Sequence, residues 1–101
     1  MDTDHLISHA RSRFDHEAAR RALREKYKTK MVFGHEGGMW SAGPELISLL
    51  QACPDGTAVI EDLYGNPVRV DVADMLMLAQ QRWQEQMNAW LVEHEQMQNQ
   101  R

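Results

Sequence analysis

The chain has 101 residues, of which 43% are hydrophobic and 26% charged, with a formal net charge of -4. Such a chain is expected to fold as one soluble domain that buries roughly two-thirds of its unfolded surface, and it is too apolar for a disordered segment of high charge. No apolar stretch approaches the roughly 20 residues of a membrane span, and after the acidic start Met1-Asp2-Thr3-Asp4 no secretory signal is expected.

The expectation is therefore a cytoplasmic protein without a membrane partner, and the single Cys53 agrees with a reducing compartment. Its thiol suits a space-filling role at a helix end. Charge is polarised along the chain. Residues 1–30 carry 8 Lys or Arg against 5 Asp or Glu, whereas residues 31–101 carry 3 against 10. Opposite faces of this kind can meet within a molecule, between copies, or on a charged partner.

The first predicted element is a helix over residues 1–29. Ile7, Ala10, Phe14, Ala18 and Ala22 recur at steps of three or four, with no Gly or Pro among them, and form a narrow apolar stripe. Arg13, Arg20, Arg21, Arg24 and Lys28 share the neighbouring arc with Glu17, so the helix is basic on one side.

Residues 30–71 read as two hairpins separated by a short helix. Lys30–Gly34 and Met39–Ala42 are the first pair of strands, bracketing His35-Glu36-Gly37-Gly38, where both glycines are expected to permit positive φ. Pro44 opens a helix over Glu45–Ala52, whose Leu46, Ile47, Leu49 and Leu50 predict deep burial, and Pro54-Asp55-Gly56 ends it. Thr57–Leu63 and Val68–Val70 form the second hairpin around Tyr64-Gly65-Asn66-Pro67. The four strands are expected to make one small antiparallel sheet. Residues 31–53 and 57–79 share a hairpin-then-helix order, in the manner of a diverged repeat.

Asp71 is a natural N-cap with Asp74 three residues on, opening a long C-terminal helix over residues 72–99. The fold class is thus α+β in the order α-β-β-α-β-β-α. In the last helix Leu76, Trp83, Trp90 and Met97 recur every seven residues, and Met87 widens their stripe. Val72 and Ala79 occupy the companion seam, which Gln86 and Glu93 interrupt. At 1.5 Å per residue this helix would reach about 40 Å, longer than a small domain is wide. Trp83 and Trp90 either close the home core against Phe14 and Ala18, or, with Met87 and Met97, present an interface to another chain.

No catalytic, metal or cofactor motif accompanies these elements. His5 and His9 share a helix face but lack a third ligand, and His35-Glu36 sits in a glycine turn without the second His of a zinc-protease motif. An enzyme would need a pocket gathering His35 and Glu36, with Asp62 as an optional third member. The reading favoured is a non-enzymatic interaction or assembly protein that self-associates, with Trp83, Met87, Trp90, Met97, Arg20, Arg21 and Arg24 as partner-binding residues. The arginine arc leaves three uses open: a solvated face, contact with an acidic protein or sister subunit, or nonspecific binding of nucleic acid.

Gly37-Gly38-Met39-Trp40, Tyr64-Gly65-Asn66-Pro67 and Met87-Asn88-Ala89-Trp90 give the chain a resemblance to the small accessory proteins of large tailed bacteriophages. That resemblance implies a role in virion assembly or host takeover, in host cytoplasm or virion, and it carries over no catalytic residue.

Overall fold

A computed structural model describes residues 3–99. Helix α1 (Thr3–Lys30) leads into strands β1 (Val32–His35) and β2 (Gly38–Ser41), then helix α2 (Pro44–Ala52). Strands β3 (Thr57–Glu61) and β4 (Pro67–Asp71) follow, and helix α3 (Val72–Asn99) completes an α+β architecture in the expected order. Among the described residues no helix is long and apolar enough to cross a membrane.

The first hairpin turns on Glu36 and Gly37, with φ of 51° and 82°, while His35 faces Gly38 across the ladder. Two central residues at positive φ match the right-handed twist of the flanking strands. The expectation that Gly38 supplies a positive φ is corrected by this register. Gly38 is glycine for space: a Cβ there would lie 2.7 Å from Cζ2 of Trp40. Trp40 is 2% exposed, and its indole N–H donates to the His35 carbonyl at 2.9 Å.

The four strands make two separate two-stranded sheets, β1-β2 and β3-β4, where one sheet was expected. The reason lies at Met39, whose pairing with Gly34 is of the type that turns N–H and C=O away from the partner strand. The Met39 carbonyl takes the Leu63 N–H at 2.9 Å, but its N–H goes to the Asp62 carboxylate at 3.2 Å. A side chain thus occupies the place of the next ladder acceptor, and no second sheet ladder forms. Pro67 faces Glu61 at the equivalent outward-turning position of the second hairpin, where its missing N–H costs the ladder nothing.

Between the hairpins and the two following helices lies the core. Trp40, Leu50, Val70, Met75 and Ala79 are at most 2% exposed, with Met31, Phe33, Ile60 and Val72 around them. Leu50 is the one buried residue of α2; Leu46 and Ile47 are half-buried against the core, and Leu49 remains 47% exposed. The helix is less enclosed than its composition implies, because only one of its faces meets the rest of the chain. Cys53 caps its C-terminus, partly buried against the core, and its thiol donates to the Leu49 carbonyl. Asp71 caps α3 as expected, with its carboxylate accepting the Asp74 N–H at 3.0 Å.

The helices α1 and α3 run antiparallel, with Tyr27 beside Trp90 and Lys26 beside Glu93. The molecule is correspondingly long, 67 × 25 × 21 Å, with a radius of gyration of 19.4 Å against about 13 Å for a compact chain of this length. Only Tyr27 of α1 is buried, and every residue from Thr3 to Asp15 is exposed.

Candidate interaction groove

What holds the helix pair together is a small polar-aromatic cluster. The Tyr27 ring stacks on Trp90 with centroids 6.2 Å apart and planes 6° from parallel, and the ammonium groups of Lys26 and Lys30 lie 5.4 and 5.2 Å from its centroid. Glu93 accepts hydrogen bonds from Lys26 Nζ and the Tyr27 hydroxyl, both at 2.7 Å. The ammonium and hydroxyl hold the Glu93 carboxyl below its ordinary range, and the same contact raises the pKa of both Lys26 and Tyr27. Glu93 interrupts the apolar seam in sequence, yet in space it is the residue on which α1 is fastened.

Trp90 therefore packs on Tyr27, and the expected contact with Phe14 is absent: Phe14 is 68% exposed. At 100° per residue, Ile7 and Phe14 lie roughly 140–160° around the helix from Tyr27, so the apolar stripe of α1 points away from α3. Ile7 is accordingly 52% exposed. Trp83 and Met87 are half-buried against the core, on the same side of α3 as Trp90.

Four adjoining hollows, each sharing lining residues with the next, form a groove along the helix pair. Its outer segment, about 810 Å³, is lined by His9, Arg13, Arg20 and Met97. The next, about 350 Å³, gathers Arg20, Arg21, Arg24, Trp90 and His94. Trp90 and His94 pass it on to a segment of about 250 Å³ with Met87 and Leu91, and Met87 and Trp90 to a segment of about 440 Å³ that includes Lys28 and Trp83. All seven partner-binding residues expected from sequence, Trp83, Met87, Trp90, Met97, Arg20, Arg21 and Arg24, line this one feature. Along the sequence the arginine arc and the last helix are two separate surfaces; antiparallel packing of α1 on α3 joins them.

Leu91, 54% exposed at the groove edge, and His94 were not singled out from sequence. Leu91 lies off the seven-residue repeat of Trp83 and Trp90, and nothing in a single sequence distinguishes the edge of a helix contact from its solvated side. Leu91 is one residue from Trp90, which is the only local signal.

His35 and Glu36 lie together, apart from the cavity that Asp62 borders. His35 Nε2 lies 3.3 Å from Glu36, whose carboxylate oxygens each accept the Asp71 N–H at 3.3 Å, pinning the first turn to the head of α3. Asp62 serves a separate purpose. Its carboxylate accepts N–H groups of Asn66, Met39 and Tyr64, which hold its pKa below the ordinary value, and the cavity it borders with Trp40 and Leu63 includes neither His35 nor Glu36. Among the described residues, no group of three or more His, Cys, Asp or Glu side chains is placed to hold a metal ion. Compared with protein families, curated proteins and solved structures, the chain matches none.

Proposed function

We propose that this chain is a non-enzymatic interaction or assembly protein that self-associates through its helix surfaces. The observation that carries the reading is the groove: an aromatic and thioether floor, rimmed by arginines, left uncovered along a helix pair. Trp, Met and Arg are the side chains enriched where protein surfaces meet, and a half-exposed leucine beside them gains most from being covered. A role in virion assembly or in host takeover, in host cytoplasm or in the particle, fits such a module and follows the resemblance noted from sequence.

The test is solution mass across micromolar concentrations by light scattering or sedimentation. A mass rising to that of two or more chains is expected; a chain that stays monomeric at high micromolar concentration refutes the proposal.

A second reading, a nucleic-acid-binding accessory protein, draws on Arg20, Arg21 and Arg24 lying beside Trp90, since cationic grooves with an aromatic floor suit single strands. It predicts tight binding that weakens steeply with salt. The first reading is preferred because the groove also carries Met87, Leu91 and Glu17, which offer phosphates nothing.

A further inference from the structure

We propose that the occupant of the groove is the groove of a second copy, the two helix pairs meeting face to face about an axis that runs along the helices, so that α1 of each lies over α3 of the other. This rests on the self-association reading and specifies its geometry. The choice follows from charge. Within α1 there are 8 Lys or Arg and 4 Asp or Glu, and within α3 there are 1 and 4, so the two helices are opposite in sign. An axis across the helices would set α1 against α1, arginine against arginine. An axis along them sets the α1 arginines of each copy over α3 of the other, where Glu95 is the exposed carboxylate beside the groove.

An axis along the helices also keeps the levels of the two copies aligned. Arg21 and Arg24 share a groove segment with His94 in their own chain, so each faces the level of His94 and Glu95 on the partner helix. Glu95 is exposed and lies one helical turn from Leu91, on the same side of α3. Leu91, Met87 and Trp90 of each copy then lie beneath α1 of the other and are covered by the aliphatic stems of its arginines. From His9 to Lys28 the groove is roughly 30 Å long and two helices, about 20 Å, across, or about 600 Å² per copy. That total of about 1,200 Å² sits at the lower bound of specific interfaces.

The experiment is a charge swap read by sedimentation. One variant carries Arg21→Glu and Arg24→Glu, the other Glu95→Arg, and neither touches the Lys26–Glu93–Tyr27 cluster. Each alone should dimerise at least tenfold more weakly than the parent with an unchanged circular dichroism spectrum, because like charges then face each other twice. An equimolar mixture should recover the dimer, since both contacts of the mixed pair are again opposite in sign. Leu91→Gln, at an exposed helix position, should weaken the dimer by a similar factor.

A parent chain that stays monomeric refutes self-association itself. A parent dimer that ignores the charge reversals and Leu91→Gln, or variants whose mixture fails to recover, overturns this arrangement alone. A labelled single-stranded oligonucleotide whose binding is lost in the Arg21→Glu, Arg24→Glu chain, while the mass of the parent remains that of one copy, gives the groove to nucleic acid instead.

Discussion

The two adjacent glycines of the first turn make a prediction that separates backbone strain from packing. Gly37→Ala places a side chain at φ 82° with nothing within 4 Å of the new Cβ, so its cost is that of left-handed backbone alone, about 1–2 kcal/mol. Gly38→Ala has an unremarkable φ, but its Cβ would lie 2.7, 3.0 and 3.2 Å from Cζ2, Cε2 and Nε1 of Trp40. The indole cannot step aside freely, being 2% exposed and bonded through Nε1 to the His35 carbonyl. Overpacking costs about 1–3 kcal/mol and a weakened indole hydrogen bond about 1 more, giving roughly 2–4 kcal/mol. For a domain of this size that corresponds to a fall in Tm on the order of 15 °C. Urea unfolding of the two variants gives the comparison, and Gly38→Ala repeated in a Trp40→Phe background isolates the contact, because Phe lacks the benzo-ring atom that clashes. Gly38→Ala costing less than Gly37→Ala, or costing the same with and without the indole, would refute the steric argument.

Other expectations follow from the core, the cap and the charged clusters. Leu50→Ala removes a side chain 1% exposed and should cost about 2–5 kcal/mol in urea unfolding. Asp71→Ala leaves the Asp74 N–H without its acceptor at the head of α3 and should cost about 0.5–2 kcal/mol, with the unfolding slope unchanged. Glu93 and Asp62 have folded-state pKa values below their ordinary 4.5 and 3.8, so their contribution is present above those values and is lost as pH falls through the lower folded ones. Tm should therefore hold from neutral pH to about 5 and drop below about 4, with Glu93→Gln and Asp62→Asn each flattening the acid limb. Lys26 and Tyr27 have values raised above 10.5 and 10.0, so the same cluster should lose its contribution as pH rises through those raised values, an alkaline limb that Glu93→Gln also flattens.

Local chemistry was legible in the sequence because local physics decides it. Pro44 at the head of α2, the Asp71 cap, the glycine turn and the periods of three-to-four and two placed all seven elements in order within a residue or two. The lining of the groove was also legible as residue types, since Trp, Met and Arg recur at helical spacing along the two helices. What the sequence could not decide was which of two faces of α1 would meet α3. Its apolar stripe through Ile7 and Phe14 is the obvious candidate, yet the helix docks by its opposite side through Tyr27, because one stacked ring and the Lys26–Glu93–Tyr27 cluster outweigh a stripe composed largely of alanine. That contact joins residues 66 and 67 positions apart in the chain, a separation at which helical periodicity carries no information. The split of the strands into two sheets is of the same kind. Asp62 reaches 23 positions back to the N–H of Met39 and takes the place of a ladder carbonyl, and only the folded chain brings the two together. The turns, caps and periods are properties of neighbours along the chain; the groove exists only because tertiary packing laid the arginines of the first helix beside the tryptophan of the last.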